Sequence, residues 1–179
     1  MIIVFIGIFV ALTLLILNYI LKKNIREELT NAVNANIPET SCTIKIDGKC
    51  FGTPFIPTPL TREECKAQGL ICYYDNDYWA GAVKQCGGIN KLPTMSDLGK
   101  LASALYIGKP TVGAKQDISN LTYISGTAAS IGLPEPDFNL WSAEEYINNT
   151  AYLRNFGKEH SYWYYNTRTN RSIQAVCLK

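Results

Sequence analysis

The sequence is poor in the side chains from which metal centres and many catalytic sites are built. It contains one histidine, His160, and no two of its six cysteines have the Cys-x-x-Cys spacing of common zinc sites. His160 stands in an aromatic stretch, and no nucleophile with a base and an orienting group is recognisable around it. We therefore predict a protein that is not an enzyme and that needs neither a metal nor a cofactor.

The sequence also lacks an excess of charge of either sign. It has 17 Lys and Arg against 15 Asp and Glu, a formal net charge of +2. Proteins that bind nucleic acids usually carry a pronounced basic patch, so no nucleic-acid partner is expected. Tyr, Trp, Asn, Thr and Ser are instead abundant toward the C-terminus, which is typical of polar, aromatic recognition surfaces.

One long apolar run, Met1–Leu21, is long enough to cross a bilayer. It lacks the basic start and the small-residue cleavage site of a secretory signal peptide. Lys22, Lys23 and Arg26 follow it, and the positive-inside rule alone would place the remaining chain in the cytoplasm. Six cysteines in a small domain favour an oxidising compartment instead. We give the cysteines more weight and predict a cell-envelope protein, membrane-anchored or pilus-associated, with an extracytoplasmic C-terminal domain.

The segment Ile6–Leu12 resembles the middle of the N-terminal helix of type IV pilins and type II secretion pseudopilins. That resemblance would place Met1 inside the mature helix, downstream of a missing leader. The helical pattern continues until Pro38, with apolar residues at four-residue spacing: Ile25, Leu29, Val33 and Ile37. We assign 1–38 to this helix, roughly 55 Å long at 1.5 Å per residue. Its expected partner is a membrane, a pilus or a secretion assembly, and the alternative is a plain signal-anchor helix.

Residues 39–74 are predicted to form a loop-rich linker region held together by disulfides. Cys42–Cys50 alternates apolar and polar side chains around Asp47-Gly48, the strongest short signal for a β-hairpin. Thr61–Glu64 has capping-box spacing and starts a short helix that contains Cys65. Six cysteines allow about 15 pairings. Locality favours Cys42–Cys50 and Cys65–Cys72, and this leaves Cys86 to pair with Cys177.

Asp77–Leu105 is predicted to form two short helices around which the rest of the chain is organised. Asp77 caps the first, and Gly87-Gly88 ends it, because glycine accepts the left-handed conformation of a helix C-terminus. Lys91–Pro93 is predicted to be extended. Thr94 and Asp97 then open the second helix with capping-box spacing. The buried stripes of the two helices are predicted to be Trp79, Val83 and Cys86, and Leu98, Leu101, Ala102 and Leu105.

A series of motifs follows in residues 75–179: Tyr78–Cys86, Lys91–Thr94 with a helix behind it, Trp141–Tyr146, Ala151-Tyr152 and Gln174–Leu178. Their order resembles the C-terminal domain of bacterial collagen-like adhesins, a branch of the C-type-lectin-like fold, and the distal domain of some gut-bacterial pilin-like proteins. The resemblance implies an α+β domain with two helices, a small twisted antiparallel sheet, long polar loops and a terminal strand returning beside the first. It also implies that Cys86–Cys177 ties a helix to the last strand.

The stretch Tyr146–Arg171 alternates aromatic residues with amides and bases, and it is predicted to be the recognition surface. Trp141 and Phe156 are interpreted as core residues. The others are expected to be exposed, because aliphatic residues are nearly absent. The predicted ligand-binding residues are Asn148, Tyr152, Arg154, His160, Tyr162, Trp163, Tyr164, Asn166 and Arg168.

Alternation along a strand would place Tyr162 and Tyr164 on one face and give Tyr165, of opposite parity, a smaller role. The enrichment in Asn, Tyr, Ser and Thr is similar to that of lectin-fold proteins diversified by retroelements, which would make the surface hypervariable. Glu135–Asp137 resembles a ligand element of calcium-dependent lectins, but the companion Trp-Asn-Asp ligands are missing. We therefore expect a metal-independent adhesin-type domain that binds a protein or a glycan. The alternative is a structural minor pilin or pseudopilin without a ligand of its own.

Overall fold

A computed structural model of the protein describes residue 42, residues 44–108 and residues 119–179, with the side chains of 119 and 120 left aside. These residues belong to one compact unit, Thr40–Lys179. The helix predicted over 1–38 lies outside the described residues, and so does the predicted contact with a membrane or an assembly. In the described ranges, no helix combines the length and the apolar character that crossing a membrane requires.

The described chain combines short helices with short antiparallel strands, which confirms the predicted α+β class. The helices are α1 (Arg62–Ala67), α2 (Tyr78–Gln85), α3 (Met95–Leu105) and α4 (Thr127–Ser130), and a 3₁₀ helix spans Ile89–Lys91. The strands are β1 (Ile44–Ile46), β2 (Lys49–Phe51), β3 (Tyr106–Ile107), β4 (Ser119–Asn120), β5 (Thr122–Tyr123), β6 (Phe138–Glu145), β7 (Thr150–Phe156) and β8 (His160–Thr167).

The predicted hairpin is present as β1 and β2, which pair from Ile44↔Phe51 to Ile46↔Lys49. Asp47 and Gly48 both have positive φ, 48° and 78°. A two-residue turn with this geometry matches the twist of the flanking strands, and Asp-Gly adopts it readily. The Cys42–Cys50 disulfide closes the hairpin at its open end.

Local capping decides where the helices begin. Thr61 and Glu64 form the predicted capping box of α1, and Thr94 and Asp97 form that of α3. Asp77 caps α2 by accepting a hydrogen bond from the Ala80 backbone N–H at 2.8 Å. The predicted stripe of α3 is buried in full. The extended conformation predicted for the segment before Pro93 begins later than expected, because Lys91 still belongs to the 3₁₀ helix.

The largest sheet has the strand order β4-β8-β7-β6 and is antiparallel throughout. β7 and β8 pair without a break from Thr150↔Thr167 to Phe156↔Ser161. β6 shifts register against β7 between Trp141 and Glu145, which marks a β-bulge or a related irregularity. Because side chains alternate between the faces of a strand, the unbroken register of β7 and β8 sorts their residues onto two faces.

Each face of this sheet carries its own hydrophobic core. On one face, Leu140 and Trp163 pack with Leu101 of α3. On the other face, Trp141 packs with Trp79 of α2. Trp141 and Phe156 are both fully buried, as predicted. The sheet is therefore a central layer, and only its margins remain available for binding.

The C-terminal segment returns to the beginning of the described unit. Leu178 bridges Phe51, and Ala175 bridges Phe55, both antiparallel. These are single bridges rather than a continuous strand, so the predicted terminal strand is present only in this reduced form. Three disulfides, Cys42–Cys50, Cys65–Cys72 and Cys86–Cys177, follow the predicted pairing. The last of them joins the C-cap of α2 to the returning segment.

Candidate ligand-binding surfaces

The residues predicted to bind a ligand do not form one surface. Three of them are buried: Arg154, Trp163 and Arg168. Their predicted exposure is therefore wrong. The scarcity of aliphatic residues predicted exposure, but this core uses indole and guanidinium groups where other proteins use Leu or Val. The remaining predicted residues lie on two opposite faces of the β7–β8 pair or in the turn between β6 and β7.

Arg154 and Trp163 are cross-strand partners that fill the core under α3. The guanidinium carbon of Arg154 lies 4.9 Å from the centre of the Trp163 ring, a cation–π contact. Its Nε donates a hydrogen bond to Ser161 Oγ at 2.7 Å. Burial lowers the pKa of Arg154 to about 10, against an opposing influence of Tyr106. These contacts give both residues a structural role.

Arg168, directly after β8, connects three separate elements. Its Nη2 lies 2.8 Å from Asp77 Oδ2 at the start of α2, and its Nη1 donates to Glu145 Oε2 at 2.9 Å. The same Nη2 also donates to Cys72 Sγ at 3.6 Å, and the guanidinium carbon lies 4.3 Å over the Trp79 ring. Burial raises the pKa of Asp77, and the hydrogen bonds from Ala80 and Arg168 only partly oppose that rise.

One exposed margin of the sheet carries a row of aromatic rings along β8, here called the aromatic ladder: His160, Tyr162 and Tyr164. The ring centres of His160 and Tyr162 are 5.4 Å apart, and those of Tyr162 and Tyr164 are 5.5 Å apart. All three side chains are half-buried. The predicted placement of Tyr162 and Tyr164 on one face is thus confirmed.

Amide side chains of β6 and β7 lie beside the aromatic ladder. Asn155 Nδ2 donates to Asn139 Oδ1 at 3.0 Å, and the Tyr164 hydroxyl donates to the same oxygen at 3.4 Å. The Asn155 Oδ1 atom is buried without a partner among the described residues. Asn166, of the same strand parity, also interacts with Tyr164 and lowers its pKa, although burial raises that pKa more strongly. The margin therefore combines flat rings with amide donors and acceptors.

The opposite face presents a second cluster, here called the tyrosine triad: Tyr146, Tyr152 and Tyr165. Tyr146 and Tyr165 stack with centres 4.1 Å apart and planes inclined by 21°. Tyr152 meets Tyr146 edge-on at 5.1 Å. Asn148 lies in the adjacent turn, exposed and with a φ of 44°.

Four members of these surfaces were not among the predicted ligand-binding residues: Asn139, Tyr146, Asn155 and Tyr165. Asn139 of β6 had no signal in the sequence, because its proximity to the aromatic ladder depends on the pairing Asn139↔Asn155. Tyr165 was predicted to matter less than Tyr162 and Tyr164, because it faces the other side of β8. On that side, however, it is the cross-strand partner of Tyr152. A search for cross-strand tyrosine pairs would have found it.

An open cleft of about 760 Å³ is lined by no member of the aromatic ladder or the tyrosine triad, and it contains part of the element that resembles calcium-dependent lectins. It is lined by Leu121, Thr122, Tyr123, Ser125, Glu135, Pro136, Lys158 and Glu159. Glu135 Oε2 accepts a hydrogen bond from the Tyr123 hydroxyl at 3.1 Å. In the described ranges, the metal-ligand types that converge are Cys65, Cys72 and Asp77. Both cysteines are disulfide-bonded, so they offer no thiolate to a metal.

Comparison with known proteins gave no match to a family model, to a curated protein or to a solved structure.

Proposed function

We propose that the protein is an adhesin-type binding protein of the cell envelope, whose C-type-lectin-like domain holds a protein or glycan ligand through the aromatic ladder without a metal. The aromatic ladder, flanked by amides on a half-exposed sheet margin, is the observation that carries this proposal. Rigid aromatic rings supply contact area at a small cost in conformational entropy, and amides supply adaptable hydrogen bonds.

The architecture supports a lectin-like fold. Two helices pack on an antiparallel sheet, and the C-terminal segment returns beside the first strands. The Cys86–Cys177 disulfide joins a helix end to that segment, as the resemblance implies. Three disulfides indicate an oxidising, extracytoplasmic environment. This environment agrees with a binding domain displayed outside the cell, anchored by the predicted helix over 1–38.

Metal independence is proposed on the chemistry of the surface. The aromatic ladder and its amides, Asn139, Asn155 and Asn166, contain no carboxylate, and calcium sites in proteins are built largely from carboxylate oxygens. A ligand would be held by ring contacts and by hydrogen bonds to amides. The unpartnered Asn155 Oδ1 is an acceptor that a small side-chain rotation would offer to a ligand hydroxyl or amide N–H.

The test uses the full chain in a detergent whose head group is not a sugar. It is screened against glycans and bacterial and host surface proteins, with and without a chelator. Tyr162→Ala should weaken the binding found by about 30-fold, the loss typical of a central aromatic contact. Tyr73→Ala is the matched control, because Tyr73 is an exposed tyrosine outside the sheet. It should leave the affinity unchanged.

Three results would contradict the proposal. Binding that disappears in the chelator would point to a calcium-dependent site instead. Binding that survives Tyr162→Ala would place the ligand elsewhere. Absence of any binding, together with loss of pilus or secretion assembly in a deletion strain, would identify the protein as a structural minor pilin or pseudopilin.

A further inference from the structure

We propose that the tyrosine triad is a second binding site, separate from the aromatic ladder, and that it takes a neutral sugar ring. The triad lies on the opposite face of β7 and β8, because Tyr152 and Tyr165 pair across the strands while Tyr162 and Tyr164 have the other parity. A ligand on one surface therefore does not touch the other.

The triad is open to solvent although it is built of large rings. Tyr165 is 51% exposed and Tyr146 is 40% exposed. The neighbouring Ile147 is 58% exposed and extends the apolar surface. An aromatic face carries partial negative charge, and it attracts the weakly positive C–H face of a pyranose as it attracts the edge of another ring. Stacking of Tyr146 on Tyr165 holds both rings in place before a ligand arrives.

The polar groups of the triad suit a ligand rich in hydroxyls. None of the three phenol hydroxyls makes a hydrogen bond within the described part of the chain. The three rings lie together, because the centre of the Tyr146 ring is 4.1 Å from that of Tyr165 and 5.1 Å from that of Tyr152. A protonated phenol both donates and accepts. Three such groups match the donors and acceptors around a sugar ring.

Two carboxylates directly precede Tyr146 in the sequence, and their charge favours a neutral sugar over an anionic one. Glu145 Oε2 is paired with the Arg168 guanidinium at 2.9 Å. The Glu144 carboxylate accepts hydrogen bonds from the Met95 backbone N–H at 3.0 and 3.1 Å. The Arg168 guanidinium compensates the charge of Glu145, whereas Glu144 keeps its negative charge and disfavours an anionic ligand. Hydrogen bonds also fix the turn beside the triad. Thr150 Oγ1 donates to the Ile147 carbonyl oxygen, and the Arg168 backbone N–H donates to the Asn149 carbonyl oxygen.

The test measures binding of the full chain, in a detergent without a sugar head group, to neutral oligosaccharides of glucose, galactose and mannose. Sialylated and sulfated counterparts serve as charged probes. We expect neutral oligosaccharides to bind. Tyr165→Ala should weaken that binding by about 30-fold, as expected for a central aromatic contact. The double change Tyr152→Phe with Tyr165→Phe keeps both rings, and removing their hydroxyls should weaken binding about five- to tenfold.

Two controls make the result specific. Tyr73→Ala changes an exposed tyrosine outside the sheet and should leave neutral-sugar binding unchanged. A ligand that is lost in Tyr162→Ala but kept in Tyr165→Ala belongs to the aromatic ladder, so the two sites are read separately. Peptide mapping of Cys86–Cys177 and a cooperative melt establish that each variant is folded, and the double phenylalanine change provides the test if Tyr165→Ala does not fold. The inference is overturned if no neutral oligosaccharide binds, if charged probes bind better, or if folded Tyr165→Ala and double phenylalanine variants bind like the wild type.

Discussion

The guanidinium of Arg168 lies 4.3 Å over the indole of Trp79, at the junction between the end of the sheet and the start of α2. The same guanidinium pairs with Asp77, which caps that helix. One side chain therefore fixes the position of a helix N-terminus on the sheet by packing and by charge together. Its structural role is to hold the scaffold that carries the aromatic ladder and the tyrosine triad.

Replacing Arg168 by Ala should lower the free energy of unfolding by about 3–5 kcal/mol, because Asp77 would be left as an unpaired buried charge. Burial already raises the pKa of Asp77 although Arg168 opposes the rise, so removing the guanidinium should raise that pKa further. The Arg168→Ala variant should therefore be least destabilised at low pH, where Asp77 is protonated. It should lose stability as the pH rises through the folded-state pKa of Asp77. Urea unfolding at pH 5 and pH 8 measures both effects.

Glu145→Gln is the matched control, since the side chain of Glu145 is 47% exposed and pairs with the same guanidinium. Exposed pairs of this kind contribute about 1 kcal/mol or less. A loss as large as that of Arg168→Ala would contradict the assignment of Asp77 as the principal partner.

The local elements of this fold were predictable from sequence. The Asp47-Gly48 turn, the capping boxes and the cap at Asp77 each depend on a few neighbouring residues, and all are present. The two short disulfides follow from locality, and the third follows as the remaining pair. Strand alternation correctly placed Tyr162 with Tyr164.

The candidate surfaces were predictable only in part, because they depend on which strands become neighbours. Arg154 and Trp163 belong to an alternating polar and aromatic strand, and nothing local indicates that α3 covers their face. The contact of Asn139 with Asn155 joins two strands whose pairing the sequence does not encode locally. The buried guanidinium of Arg168 needs Asp77 as its ion-pair partner, 91 residues earlier in the sequence. An ion pair between such distant residues leaves no periodic pattern in the sequence.

Gly81→Ala should destabilise the protein, although alanine normally improves a helix interior by about 1 kcal/mol. A Cβ at Gly81 would meet the Thr58 carbonyl oxygen, because α2 packs closely against the segment before α1. We expect a net loss of about 1–3 kcal/mol, the range for overpacking. Thermal unfolding measures it, and Lys84→Ala on the exposed side of α2 should change little. A more stable Gly81→Ala variant would contradict the close packing.

Removing Cys86–Cys177 by a double Ser substitution should cost more than removing Cys42–Cys50. The two bonds span separations of 91 and 8 residues. Loop-closure entropy then predicts that the long loop contributes roughly 2 kcal/mol more. The free energies of unfolding of both double variants give the comparison. Equal losses would show that the disulfides stabilise mainly through native-state contacts.

Asp97→Asn should reduce stability at neutral pH and make unfolding less sensitive to acid. Burial alone would raise the pKa of Asp97, but hydrogen bonds from Lys49 and Thr94 outweigh it and hold the pKa below its usual value. A lowered folded-state pKa contributes stability above the unfolded pKa of about 4, and this contribution is lost as pH falls further. Unfolding at pH 7 and pH 3 tests the change.

Asp75→Asn is the control for this pH effect, because Asp75 pairs with Arg62 on the surface, with both side chains more than half exposed. It should show a much weaker dependence. A difference between wild type and Asp97→Asn that does not shrink at pH 3 would contradict the role given to the Lys49 contact.

The return of the C-terminal segment to β2 constrains the order in which the native contacts can form. Cys42–Cys50 and Cys65–Cys72 close over 8 and 7 residues, so each can oxidise as soon as its own segment reaches the oxidising compartment. Cys86 must wait for Cys177, and Phe51 must wait for Leu178. Until then Trp79 and Trp163 lack part of their covering, since Ala175 and Val176 belong to the two cores. Apolar surface of both cores therefore stays exposed until the last residues of the chain have joined the fold.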